Sequence, residues 1–351
     1  MRGDEPTSSP SGQVAARSAD GGVGRGSISP LRQPSAATSP AVRDAHSGGG
    51  AGGVILPFII FTLIWGSTWI VIRDQLGTVP AQWSVTYRFI IAAAAMFAIA
   101  AWKKSPLKLD RRDWPLVAAI GVFQFCVNFN AVYVAEHYIT SGLVATVFAL
   151  LLIPNSLFAW MLLGQRPGAR FLACSAIAVA GIGLLFLQEL RRDQAETAAV
   201  IAGIAWTLLG ILGASLSNVV QATERARHIP VLTLLAWAMA FGAVADAAVA
   251  LAFSGPPVLE SRLSYWVGLV YLAVLASALC FSLYFPVVRK IGPGKAAYSS
   301  ALVPIVAMAL STLFEGYRWT ALAASGAALA IGGIVLALTS RRGVAAAPPA
   351  D

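Results

Sequence analysis

The chain has 351 residues, of which 57 % are hydrophobic and only 12 % charged, against about 25 % charged in an ordinary soluble domain. Nine of the charged residues fall in the first 52 positions, so the remainder is too poor in charge to solvate a globule of its length. A soluble enzyme, a nucleic-acid binder and a disordered chain are excluded, and a polytopic membrane protein is expected.

Residues 1 to about 52 are rich in Gly, Ser, Ala, Pro and Arg and show no apolar period. Such a segment buries too little surface to offset its ordering entropy, so a disordered N-terminal tail is predicted. No apolar stretch precedes residue 53, so the tail does not read as a secretory signal. From Val54 onward, apolar runs of membrane-crossing length recur ten times: 54–72, 81–102, 114–135, 142–163, 169–188, 199–221, 230–253, 265–286, 296–313 and 319–339. Short connections carry the turn and charge signals, among them Gly77-Thr78-Val79-Pro80, Arg191-Arg192-Asp193 and Ile291-Gly292-Pro293-Gly294. They leave no room for an extramembrane catalytic domain. Alternating ten-residue segments are missing, which argues against a β-barrel. A short tail, 341–351, closes the chain.

Placing the N-terminus in the cytoplasm puts fifteen basic residues of the folded part and its flanks on that side. Five, Arg73, Arg191, Arg192, Arg262 and Arg318, fall opposite. The net charge of +9 thus reflects basic cytoplasmic loops, and both termini are expected inside.

The chain contains itself twice. Pro154 and Gln165 are eleven positions apart, as are Pro304 and Glu315, and an offset of 150 maps Gly142 onto Gly292 and Gly183 onto Gly333. The expected organisation is therefore two five-helix halves, 53–190 and 197–340. An odd number of helices inserts the second half upside down, the arrangement of many secondary transporters, whose solute site lies near the midplane.

Trp65-Gly66-Ser67-Thr68-Trp69, Tyr87-Arg88-Phe89, Ala131-Val132-Tyr133 with Thr140-Ser141-Gly142-Leu143, Pro154 with Gly164-Gln165-Arg166, and Pro304 with Glu315 together resemble the drug/metabolite transporter superfamily, in particular its ten-helix EamA-type members. The resemblance spans about 54–340. It implies ten helices, cytoplasmic termini, a bacterial inner membrane, and export or exchange of small metabolites. In that family the fourth helix usually ends Gly-Glu; here Gln165 replaces the Glu, while Glu315 keeps a carboxylate in the second half.

Charges inside spans are the sharpest candidates, because each costs several kcal/mol unless paired or hydrated. Arg88 and Asp246 both lie about seven residues from one end of their spans. Arg88 suits a substrate carboxylate; Asp246 suits a proton-linked group or an amine anchor. An Arg–Asp pair locking helices two and seven, or an Arg88 snorkelling to the interface, remain open alternatives. Polar groups needing partners in hydrocarbon are Ser67 and Thr68 in helix one, Gln124, Asn128 and Tyr133 in helix three, Asn155, Asn218, Tyr284 and Ser299; interhelical hydrogen bonds explain them equally well. Trp65, Trp69, Trp160 and Trp206 are candidate cavity walls. Trp83, Trp102, Trp114, Trp266 and Trp319 read as interfacial anchors. Pro154 and Pro304 each remove a helical hydrogen bond and are expected to kink or break helices four and nine. Small-residue rows Ala176-Ala180-Gly183 and Gly326-Ala330-Gly333 are expected to pack helix against helix.

Cys126, Cys174 and Cys280 stand singly in apolar runs, so neither a zinc site nor a disulfide is expected. No phosphate-binding loop, HExxH or GxSxG is present, and no cofactor, metal or catalytic residue is expected. The sequence reads as an alternating-access carrier of a small organic solute such as an amino acid, working in the lipid bilayer by a proton gradient or by exchange. Multidrug or nucleotide-sugar-like transport on the same fold, and an integral membrane enzyme acting on lipid-linked substrates, are the competing readings.

Overall fold

A computed structural model describes residues 52–164, 166–192, 197–291 and 299–340. Among these residues every regular element is helical. The rods are α1 (Gly52–Gln75) and α2 (Ala81–Trp102), α3 (Trp114–Tyr138) and α4 (Ser141–Leu163), α5 (Ala169–Arg192), α6 (Thr197–Ala222) and α7 (Val231–Ser254). The rod α8 joins Leu263–Val270, Tyr271–Leu279 and Cys280–Ile291. Then come α9 (Ser299–Phe314) and α10 (Ala321–Ser340). Apolar stretches of 20 to 26 residues run through α1 to α8, enough at 1.5 Å per residue to cross about 30 Å of hydrocarbon. The described apolar parts of α9 and α10, Leu302–Phe314 and Ala321–Ala337, are shorter. Large side chains such as Leu56, Met161, Val244 and Phe253 face outward, as lipid requires. The protein is an integral membrane protein whose described part is all helical.

Proline sets two starts: Pro80 caps α2 and Pro230 caps α7, both at φ −55°, a value the ring fixes beforehand. Glycine sets an end: Gly164 closes α4 at φ +69°, a left-handed turn that costs a residue without Cβ little.

Three of the described rods depart from α-geometry. Gly121–Val127 in α3 and Tyr271–Leu279 in α8 are wound as π-helix, an irregularity that concentrates at functional sites. In α4 a 3₁₀ turn, Ala149–Leu151, precedes Pro154. Pro154 has no N–H, and its ring crowds the carbonyl four residues back, at Leu150, so the tightening falls where that carbonyl is released. By contrast α9 continues unbroken through Pro304.

The main helix pairings are α2 with α7, α5 with α10, α3 with α6 and α7, and α1 and α4 each with α9. The α5–α10 contact is backbone against backbone: a Cβ at Gly181 would stand 2.3 Å from the Ala330 nitrogen, and one at Gly333 2.5 Å from that of Ala178. The α10 row of Gly326, Ala330 and Gly333 is buried as expected, but the α5 row is not the expected one. Ala176, Ala180 and Gly183 are exposed, and the buried row is Cys174, Ala178, Gly181 and Leu185. Both faces of α5 carry small residues, so spacing alone selects neither. Trp83 also departs from expectation. It is buried rather than interfacial, and its indole N–H donates to the Gly255 carbonyl at 3.2 Å. Trp102 and Trp319 are exposed, as anchors are. Cys126, Cys174 and Cys280 are buried and unpaired.

Candidate solute-binding cavity

A cavity of about 130 Å³ lies among α1, α2, α3, α4, α6, α8 and α9, room for roughly four waters at about 30 Å³ each. Its aromatic walls include Trp65 and Trp69 of α1, Phe129 of α3, Phe148 of α4, and Phe281 and Tyr284 of α8. Trp65 is clasped by Phe281 and Tyr284 at centroid separations of 5.4 and 5.0 Å. Its indole N–H donates at 2.9 Å to the Ala276 carbonyl in the π-wound stretch of α8. Trp160 and Trp206, the other candidate walls, face outward.

Arg88 is the one charged residue among those lining the cavity, and it is 1 % exposed. Its Nε donates to Ser277 Oγ at 3.1 Å, and its guanidinium lies 4.4 Å from the centroid of the Phe129 ring. Ser277 in turn donates to the Leu272 carbonyl at 2.9 Å, five residues back, a reach the π-turn supplies. Thus α8 holds Arg88 by its Nε edge. Nη1 is buried without a partner among the described residues. Across the cavity, Gln124 and Asn128 lie in and just after the π-wound stretch of α3. Asn128 Nδ2 donates to the Gln124 carbonyl at 3.2 Å, while Gln124 Oε1 and Asn128 Oδ1 have no partner among the described residues. A buried polar atom left unpaired costs about 1–3 kcal/mol. The site therefore holds one unsatisfied cationic donor and two unsatisfied amide acceptors between aromatic walls, and water or a solute satisfies them.

Of the residues singled out from sequence, Trp65, Thr68, Arg88, Gln124, Asn128, Asn218, Tyr284 and Pro304 line this cavity. Ser67, Tyr133, Asn155, Pro154 and Asp246 are not among its lining residues. Ser67 and Tyr271 share a hydrogen bond of 2.6 Å between α1 and α8. Tyr133 donates to Gln75 Oε1 at 2.9 Å. Asp246 accepts from Asn130 Nδ2 at 2.6 Å, tying α7 to α3. Among the described residues no ion pair joins Arg88 to Asp246; instead Ser254 at the end of α7 donates to Gln82 Oε1 of α2 at 3.0 Å, and Tyr87 of α2 donates to the Val258 carbonyl in the following loop at 3.0 Å. The Ser299 side chain and Gln165 lie outside the described residues.

One cluster escaped the sequence reading. The expected third span ends at 135, but α3 continues to Tyr138 and carries Glu136 into full burial. Arg73, near the end of α1, donates through Nη1 to the Glu136 carbonyl and pairs with Glu315 at 3.9 Å. Glu315 also accepts from Ser141, at 3.3 Å from its N–H and 2.7 Å from its hydroxyl. The ends of α1, α3 and α9 and the start of α4 are thereby drawn together beyond Ile72 and Val132, which line the cavity. A carboxylate three residues after Tyr133 on an apolar rod was the signal available. Among the described residues no group of three His, Cys, Asp or Glu side chains is set to hold a metal.

A family model described as the EamA-like transporter family matches residues 52–187 and 197–339. The chain is 24 % identical over 260 residues to Protein PagO of Salmonella typhimurium, covering 74 % of this chain and 84 % of that protein. It is 28 % identical over 263 residues to the uncharacterized inner membrane transporter YedA of Escherichia coli, covering 72 % and 80 %. A solved crystal structure superposes with a TM-score of 0.61 at 19 % identity, over 84 % of this chain and 99 % of the other, a likeness of fold.

Proposed function

The chain belongs to the EamA-like transporter family, and from that premise we propose that it is a secondary carrier exporting or exchanging a small organic metabolite, such as an amino acid, by alternating access. Its architecture on this reading is ten spans in two inverted halves, 53–190 and 197–340, with both termini in the cytoplasm. Several features recur at one offset. Pro80 and Pro230 cap α2 and α7, and the π-wound stretches begin at Gly121 and Tyr271, each pair 150 residues apart. The pairing of α2 with α7 and of α5 with α10 sets helices of equal rank against each other, as a pseudo-two-fold axis requires.

The observation that carries the proposal is Arg88: a buried guanidinium with a free Nη1 in an aromatic cavity that both halves line. A single cation suits one carboxylate better than the diphosphate of a nucleotide sugar, and the amide acceptors of Gln124 and Asn128 suit an ammonium group. A carrier needs no bond-making machinery, whereas an enzyme acting on lipid-linked substrates does. The test is counterflow in proteoliposomes loaded with an unlabelled amino acid. Uptake of the labelled amino acid, chemically unchanged, is expected; covalent conversion of the solute, or no flux across a panel of amino acids, refutes the proposal.

A further inference from the structure

Glu136 is the most isolated charge-bearing group in the described structure. Its side chain is fully buried, and among the described residues neither carboxyl oxygen has a hydrogen-bond partner. The cation beside it is engaged elsewhere: Arg73 bonds the backbone carbonyl of Glu136 and pairs with the carboxylate of Glu315, which Ser141 holds by two further bonds. One arginine thus faces two carboxylates and is committed to the more exposed one. The charged groups acting on Glu136 are Glu315, Arg73 and, from α2, Arg88. On its own helix, Tyr133 is turned onto Gln75. The helices α4 and α6 packed against α3 carry no charged residue. An ionised carboxylate held this way meets a desolvation penalty of several kcal/mol, which Arg73 and Arg88, neither of them hydrogen-bonded to it, offset only in part. The neutral acid avoids the penalty.

We propose that Glu136 is a proton-binding site of the carrier, occupied while the Arg73 end is closed and emptied when that end opens. The inference rests on the alternating-access reading above and deepens it by locating a group through which external pH sets the balance between the open and closed ends. Closure buries Glu136 and requires a proton, taken from water at that end. Opening separates the ends of α1, α3 and α9, wets Glu136, and releases its proton to the same water as the carboxylate forms. With the N-terminus cytoplasmic, that water is external. Acid outside therefore favours the closed end and alkali the open one. The Arg73 side chain is 43 % exposed, so it lies where water first enters.

The test labels cysteines introduced at Thr78 and Thr320, exposed residues after α1 and before α10, in the full-length protein in liposomes; the native cysteines are buried. The distance between the labels is followed by fluorescence energy transfer as pH is raised at fixed salt, then as amino acid is added at fixed pH. In the otherwise unchanged protein the open population is expected to grow with alkali. Glu136→Gln is expected to lose that growth and stay closed, while Glu315→Gln, by freeing Arg73 to pair with the ionised Glu136 in the closed state, is expected to shrink the growth with alkali. A distance that follows amino acid but ignores pH, that follows sodium at fixed pH instead, or that keeps its full pH response in Glu136→Gln overturns the proton site and leaves the carrier reading intact. A distance that ignores both solute and pH overturns both.

Discussion

Replacing Arg88 by Gln removes the one charge lining the cavity while roughly keeping side-chain length. The internal damage is bounded by what Arg88 touches. Ser277 loses a donor but still spends its own proton on Leu272, so no orphaned hydroxyl hydrogen is left, and the contact with Phe129 is worth about 0.5–2 kcal/mol. The functional damage is the hydrogen bond from Nη1 to a solute carboxylate. Bonds to charged groups contribute about 1.5–3 kcal/mol, which at about 1.4 kcal/mol per tenfold is a loss of roughly 10- to 150-fold in affinity. The assay is concentration-dependent counterflow with two solutes, an amino acid and the same compound with its carboxylate converted to an amide. The unmodified protein is expected to prefer the acid by that factor, and Arg88→Gln to treat the two nearly alike. The interaction energy of the cycle then measures the Arg88–carboxylate contact alone. If Arg88→Gln weakens acid and amide equally, Arg88 only supports the cavity wall. If it weakens neither, the cavity is not the solute site.

Ser277→Ala removes the acceptor that fixes Arg88 Nε, leaving a second buried donor unpaired at about 1–3 kcal/mol; a lower thermal midpoint and a raised solute half-saturation are expected in the same preparation. Gly181→Leu drives a side chain into the Ala330 backbone, 2.3 Å from the nearest atom, and overpacking of this kind costs about 1–3 kcal/mol or more. Gly183→Leu, two residues away with nothing within 4 Å, is expected to leave thermal stability in detergent unchanged; equal losses in the two variants would show that the α5–α10 contact is not the tight one. In the loop before α8, burial pushes the Glu260 carboxyl up, but hydrogen bonds from Arg262 and Ser261 and the Arg262 charge outweigh it and hold the group below the ordinary carboxylate range. The stability this contributes is present above that range and is lost as pH falls through the lowered value. Thermal melts should therefore weaken in acid, and Glu260→Gln should flatten that limb.

Hydropathy made the apolar rods legible, because lipid imposes one length on every crossing, and Arg88 stood out because a lone charge in a span has to be accounted for. The walls at Trp65 and Trp69, and the amides Gln124 and Asn128, followed from the same rule about polar and aromatic groups inside hydrocarbon. What composition does not encode is rotation about a helix axis. It left Cys174-Ala178-Gly181 and Ala176-Ala180-Gly183 as equal candidates on α5, and it left Asp246 indistinguishable from a cavity residue, although its hydrogen bond runs to Asn130 on α3. Glu136 was lost for a different reason. A hydropathy boundary falls where polarity rises, so a buried carboxylate near a helix end shortens the span that contains it.

The π-wound stretches were also invisible, since no residue type marks them, yet they govern how the cavity works. One extra residue in a turn rotates everything beyond it and sets a carbonyl or hydroxyl off the regular ladder. In α8 the product is Ser277 positioned for Arg88 and the Ala276 carbonyl positioned for Trp65; in α3 it is the Gln124–Asn128 step. The irregular turn of α3 therefore brings Gln124 to the cavity, with Asn128 one residue beyond it, while that of α8 stands behind the cavity and supports the cation that lines it. A π-turn is also the cheapest place for a helix to change its winding, because its hydrogen bonds exchange between four- and five-residue spacing without breaking the rod. If α3 shifts register at Gly121–Val127 when the Arg73 end opens, Gln124 and Asn128 turn with it, and the contact that recognises the solute is coupled to the helix that carries Glu136.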